Sequence, residues 1–102
     1  MIPARIVLAD DHTVMRQGLR LVLERQPDFA VVGEANNGRE AIDIVAREIP
    51  DVVIMDIGMP LLNGIEAAKR IADQGLRTAV VILSMHSDES YILKALRAGA
   101  RG

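Results

Sequence analysis

The sequence contains no cysteine and no tryptophan, and its only aromatic residues are Phe29 and Tyr91. The absence of cysteine excludes disulfide bonds and catalysis by a thiolate. Half of the 102 residues are hydrophobic, so with so few aromatic rings a core has to be built from aliphatic side chains. A chain of this length is expected to form one small domain around one such core.

Excess charge and long apolar runs are also lacking. Twelve basic and 14 acidic residues give a formal net charge of -2, and no basic cluster is dense enough to bind a phosphate backbone. The longest apolar run, Ala79–Leu83, is far shorter than the ~20 residues that span a bilayer. An aspartate at position 10 lies where a signal peptide needs apolar residues. We therefore expect a cytoplasmic segment that contacts neither membrane nor nucleic acid.

Short apolar runs alternate with segments whose apolar residues recur every three or four positions. The apolar runs lie at residues 5–9, 29–33, 52–55 and 78–83. This alternation predicts four strand-helix units that build a parallel sheet covered by helices on both faces. We expect Asp11 or Thr13 to cap the first helix, and Asp88 to cap a fourth helix that ends at Gly99.

The sequence stops three residues after Gly99, where a fifth strand would begin. A doubly wound sheet that stopped there would leave one edge of the sheet uncovered. We therefore expect residues 1–102 to be one domain that lacks its fifth strand and fifth helix, with no second domain. Self-association, as a homodimer or by exchange of elements, is expected at the uncovered edge.

Polar side chains follow three of the four predicted strands. Asp10 and Asp11 follow the first strand, Asp56 the third and Ser84 the fourth. Each alone is more often a turn or helix-cap residue. The carboxyl ends of parallel strands meet at one edge, however, and three carboxylates there repel one another unless a cation lies among them. Carboxylate oxygens are the ligands that Mg²⁺ prefers, so the pattern predicts a magnesium site.

The sequence lacks the residue patterns of a zinc site and of a nucleotide-binding loop. His12 and His86 do not have the spacing of a zinc site, and we expect both rings to face solvent. There is no GxxxxGK[ST] loop and no GxGxxG turn to bind a nucleotide. The reaction that remains is transfer of a phosphoryl group to a carboxylate. Asp56 would attack the phosphoryl group, and Ser84 would donate a hydrogen bond to it.

These motifs, in this order, resemble the receiver domain of a bacterial two-component response regulator over all 102 residues. The resemblance rests on residues 7–12 (Val-Leu-Ala-Asp-Asp-His), 16–19 (Arg-Gln-Gly-Leu), 56–60 (Asp-Ile-Gly-Met-Pro), 63–64 (Asn-Gly), 83–84 (Leu-Ser) and 98–102 (Ala-Gly-Ala-Arg-Gly). Asp-Asp-His followed by Arg-x-Gly-Leu is most similar to receivers that precede a LuxR-type helix-turn-helix output domain. The resemblance implies a flavodoxin-like sheet of strand order 2-1-3-4-5, with the fifth strand absent here.

The resemblance also implies a role for each site residue. Asp56 would be the phosphoacceptor and Ser84 the switch hydroxyl. Asp11, Asp56 and the backbone carbonyl of Gly58 would ligate Mg²⁺ directly, and Asp10 would help through a bound water. Such a domain is a signalling module and not an enzyme, apart from its own Mg²⁺-dependent phosphorylation and dephosphorylation. It would take its phosphoryl group from a sensor histidine kinase and control a transcriptional output domain.

Two alternative functions share features with this interpretation. A phosphohydrolase with an aspartate nucleophile needs a second acid two residues further on, and that residue is Gly58. The other alternative is a receiver-like interaction or dimerisation module that phosphate does not switch. In the family pattern a switch aromatic follows the glycine matched by Gly102, and a lysine stands a few residues later. These 102 residues contain neither, which bears on the rate of phosphorylation and leaves this alternative open.

Overall fold

The computed structural model describes residues 2–56, 58–59, 62–75, 77–83, 92–94 and 96. Strands and helices alternate along the described chain: β1 (Ala4–Ala9), α1 (Thr13–Glu24), β2 (Phe29–Ala35), α2 (Gly38–Glu48), β3 (Val52–Asp56), α3 (Gly64–Asp73) and β4 (Ala79–Leu83). The strands form one parallel sheet of order β2-β1-β3-β4. The predicted flavodoxin-like topology is therefore confirmed for these four strands.

Both faces of the two central strands are buried. On one face Val7 and Val53 pack into a cluster with apolar residues of α2 and α3. On the other face Ile6 and Ile54 pack with Leu23 of α1. A strand covered on both faces has no polar side, which explains why residues 6–9 of β1 and 52–55 of β3 are unbroken apolar runs.

The second strand is longer than its apolar pattern predicts. It continues to Ala35 rather than ending at Gly33, because the backbone of Glu34 still pairs with β1. The carboxylate of Glu34 forms ion pairs with Arg16 and Arg20 of α1. A charged residue can therefore extend this strand, since partners on a neighbouring helix offset its charge.

The predicted fourth helix lies only partly within the described residues. Ile92 and Leu96 are helical and buried in the cluster that also holds Leu23. The expected cap at Asp88 and the expected end at Gly99 lie outside the described residues. Within the described ranges, no helix has both the length and the apolar character needed to cross a membrane.

Gly38, the first residue of α2, lies directly against the backbone of Leu62. A Cβ at position 38 would collide with the Leu62 carbonyl oxygen, which cannot turn aside as a flexible side chain can. We therefore expect Gly38→Ala to lower the free energy of unfolding by about 1–3 kcal/mol, the usual cost of overpacking. Urea denaturation measures this loss, and a Gly38→Ala protein as stable as the wild type would contradict the close approach.

Gly18→Ala is the matched control for this substitution. Gly18 lies within α1, and apart from its own helix backbone and chain neighbours no atom of the described residues is within 4 Å of a Cβ placed there. Alanine is the better residue in a helix interior, so this variant should gain up to about 1 kcal/mol of unfolding free energy.

Candidate functional site

The carboxylates of Asp10, Asp11 and Asp56 meet at one edge of the sheet. Asp10 and Asp11 directly follow β1, and Asp56 is the last residue of the neighbouring strand β3. These three residues and His12 each offer one ligand atom, and all four atoms lie within 4.8 Å of one another. The strand order thus brings the three aspartates together, and their chemical roles stay predictions.

Asp10 holds the turn that leads from β1 into α1. Its N–H donates to the carbonyl of Ala35 at 3.0 Å, and its Oδ1 accepts the backbone N–H of His12 at 2.8 Å. His12 is the N-cap residue of α1 and makes no side-chain cap bond. The prediction that Asp11 or Thr13 caps this helix is therefore wrong, because the carboxylate of Asp10 organises the turn instead.

Asp11 carries a buried oxygen that has no hydrogen-bond partner among the described residues. His12 Nδ1 lies 3.2 Å from this Oδ1, but it is hydrogen-bonded to Asp10 Oδ1 at 3.1 Å. One ring nitrogen has a single hydrogen to donate, so the contact does not satisfy Asp11. A buried carboxylate oxygen that accepts no hydrogen bond costs free energy that a cation would recover. Together with the all-oxygen donors of the aspartates, this fits Mg²⁺.

His12 belongs to the site, although its sequence pattern does not reveal this. Its side chain is 66% exposed, which agrees with the expectation that the ring faces solvent. Its Nδ1 nevertheless lies 4.0 Å from Asp56 Oδ2. The hydrogen bond to Asp10 and the negative charges of Asp11 and Asp10 raise the pKa of His12 above its usual value. The sequence feature that could have revealed this role is the position of His12 directly after two aspartates. The spacing rules for zinc ligands do not consider that feature.

Gly58 and Ser84 complete the predicted site residues. Gly58 is exposed, and a Cβ at this position would lie 4.0 Å from Asp56 Oδ2. The backbone of Gly58 is therefore next to the carboxylate, and residue 58 itself has no side chain that could cover it. Ser84 and His86 lie outside the described residues.

Comparison with known proteins agrees with this geometry. A family model described as the response regulator receiver domain matches residues 6–102. The chain is similar to the transcriptional regulatory protein DegU of Brevibacillus brevis, with 40% identity over 98 residues. That alignment covers 96% of this chain and 42% of DegU. The chain thus spans less than half the length of this curated relative.

Two solved structures share the fold over nearly the whole chain. The signal receiver domain of the putative response regulator NarL from Mycobacterium tuberculosis has a TM-score of 0.82 and 32% identity, covering 100% of this chain and 82% of that one. A LuxR-family two-component response regulator from Aurantimonas sp. SI85-9A1 has a TM-score of 0.78 and 40% identity, covering 95% of this chain and 69% of that one. The chain therefore belongs to the response regulator receiver domain family, and it is similar to members of the LuxR type.

Proposed function

We propose that this chain is the phosphoacceptor receiver domain of a LuxR-type response regulator, in which Asp56 accepts a phosphoryl group in a Mg²⁺-dependent reaction. The observation that supports this most is the cluster of Asp10, Asp11 and Asp56, with its unsatisfied buried oxygen on Asp11. Like charges held this close need a cation. Membership of the receiver family supports a phosphoryl donor as the substrate.

Asp56 is the nucleophile in this proposal. Its side chain is 19% exposed at the end of β3, so the strand holds it while solvent can still reach it. One carboxylate oxygen attacks the phosphorus atom in line with the leaving group. The bond from phosphorus to the donor breaks, its electron pair leaves with the donor, and an acyl phosphate forms on Asp56. Ser84 is proposed to donate its hydroxyl hydrogen to the phosphoryl group.

Asp11, Asp56 and the carbonyl of Gly58 are the proposed direct ligands of Mg²⁺. The Oδ1 of Asp11 accepts no hydrogen bond from the described residues, which supports a direct role for that residue. The Oδ1 of Asp10 already has the N–H and Nδ1 of His12 as partners, at 2.8 and 3.1 Å, which supports an indirect role through water. When bound, Mg²⁺ offsets the negative charge of the phosphoryl oxygens.

The proposed donor is a sensor histidine kinase, and the proposed output is a LuxR-type DNA-binding domain in the same protein. Family membership supports the first proposal. The second is supported by the transcriptional relative DegU and by the LuxR-family structure. We propose that this segment acts in the cytoplasm as a signalling module and does not itself bind nucleic acid. Homodimer formation stays a prediction.

Intact-mass spectrometry after incubation with acetyl phosphate tests this proposal. With Mg²⁺ we expect the mass to increase by one phosphoryl group. With excess EDTA we expect no increase over the same time, because without Mg²⁺ the three carboxylates leave the site with a net negative charge that repels the phosphoryl donor. Hydroxylamine, which attacks the carbonyl of an acyl phosphate and expels phosphate, should replace the added phosphoryl mass with the much smaller added mass of a hydroxamate. A protein that takes up no phosphoryl group in Mg²⁺ would instead be an interaction module that phosphate does not switch.

A further inference from the structure

Arg16 of α1 lies behind the carboxylate cluster with 12% of its side chain exposed. Its Nη1 donates to the carbonyl of Asp10 and to Oδ1 of Asn36, both at 2.6 Å. A longer contact of 3.4 Å joins the same nitrogen to the carbonyl of Ala35. Its Nε donates to Glu34 Oε1 at 2.9 Å. One guanidinium therefore links the first helix to the ends of both β1 and β2.

The bond to the Asp10 carbonyl also constrains Asp11, because the two residues share one peptide unit. That unit is planar, so a fixed Asp10 oxygen sets the directions of the Asp11 N–H and Cα. The N–H of Asp10 is held at the same time by Ala35 at 3.0 Å. The backbone that carries both carboxylates is therefore held on both sides of Asp10.

Arg16 contributes to the site by orienting its backbone and not by neutralising the charge of the aspartates. Its described contact within the cluster is with a backbone carbonyl and not with a carboxylate. Its positive charge is already paired with Glu34, whose side chain is 25% exposed. The planar guanidinium serves several acceptors at fixed angles, which the single ammonium group of lysine does not reproduce.

We propose that Arg16 is a positioning residue of the phosphoacceptor site. It holds the peptide between Asp10 and Asp11 in the orientation that Mg²⁺ binding requires, and it ties that peptide to Asn36 just before α2. This inference rests on the proposed function, because the cation concerned is the one that the aspartates would bind. Arg16 itself touches neither the cation nor the phosphoryl group.

Calorimetric titration with Mg²⁺ tests this role without relying on phosphorylation. We expect Arg16→Gln to bind Mg²⁺ about tenfold more weakly or worse, as is usual when a residue that orients metal ligands is lost. Arg16→Lys keeps the charge that pairs with Glu34 but loses the planar fork. We expect it to recover thermal stability while its Mg²⁺ affinity stays below that of the wild type. The amide NMR resonance of Asp11 should move in both variants before Mg²⁺ is added.

Arg20→Gln is the matched control. Arg20 lies one turn further along α1, pairs with the same Glu34, and donates from Nε to Glu24 at 2.6 Å. Its described contacts do not include Asp10. Because such exposed ion pairs contribute little, we expect this variant to keep its Mg²⁺ affinity within about twofold of the wild type.

The titrations separate failure of this inference from failure of the proposed function. Wild-type affinity in Arg16→Gln, or an equal loss in Arg20→Gln, would overturn the role of Arg16 and leave the proposed function standing. A wild-type protein that binds no Mg²⁺ would overturn both. If Arg16→Gln does not fold, Arg16→Lys decides, and wild-type affinity in that variant would overturn the inference.

Discussion

Asp56→Asn is expected to abolish labelling by acetyl phosphate, with a loss of about a hundredfold or more, because an amide is not a competent nucleophile. The substitution keeps the shape of the side chain at the end of β3 and leaves Asp10 and Asp11 in place. Loss of labelling is therefore expected without loss of the fold. Intact-mass spectrometry over a time course measures the rate, and circular dichroism verifies folding.

Asp43→Asn is the matched control for loss of one negative charge. Asp43 is exposed on α2 and is not among the residues that meet at the site. We expect this variant to be labelled at the wild-type rate. Labelling of Asp56→Asn at that rate would show that another group accepts the phosphoryl group, and the assignment of Asp56 would be wrong.

Asp11→Asn is expected to change Mg²⁺ affinity and stability in opposite directions. Loss of the carboxylate should weaken Mg²⁺ binding about tenfold or more, which corresponds to about 1.4 kcal/mol. In the absence of Mg²⁺ the same substitution removes one of three neighbouring negative charges. The metal-free variant should therefore be more stable than the wild type by about 1 kcal/mol.

Urea denaturation in EDTA and in saturating Mg²⁺ measures both effects of Asp11→Asn. Mg²⁺ should raise the denaturation midpoint of the wild type much more than that of the variant, because a ligand stabilises the state that binds it. A variant that is less stable than the wild type in EDTA would contradict the claim that repulsion among the three carboxylates destabilises the metal-free protein. A variant with unchanged Mg²⁺ affinity would contradict the role of Asp11 as a ligand.

The meeting of the aspartates was predictable because it depends on strands alone. Asp10 and Asp56 each follow an apolar run that is covered on both faces, and neighbouring parallel strands end at the same edge. The order of the strands in the sheet could not be predicted from the hydrophobic pattern. Hydrophobic periodicity does not encode which strands are neighbours, so that prediction came from the resemblance of the motifs to a known family.

The features that could not be predicted depend on side chains that meet across the chain. Arg16 contacts Glu34 and Asn36, which are 18 and 20 residues away, and no periodicity connects them. The same ion pair allows β2 to continue past its apolar residues. The position of His12 depends on the turn that Asp10 organises, and it could not be predicted without the backbone conformation of that turn.

The most direct test of the central claim is to locate the phosphoryl group chemically. Borohydride reduces an aspartyl phosphate to homoserine, so peptide mass spectrometry of the labelled and reduced protein identifies the acceptor. We expect homoserine at position 56 and unmodified aspartate at positions 10 and 11, with no homoserine when Mg²⁺ is withheld. Homoserine at position 10 or 11, or at none of the three after uptake of a phosphoryl group, would contradict this account.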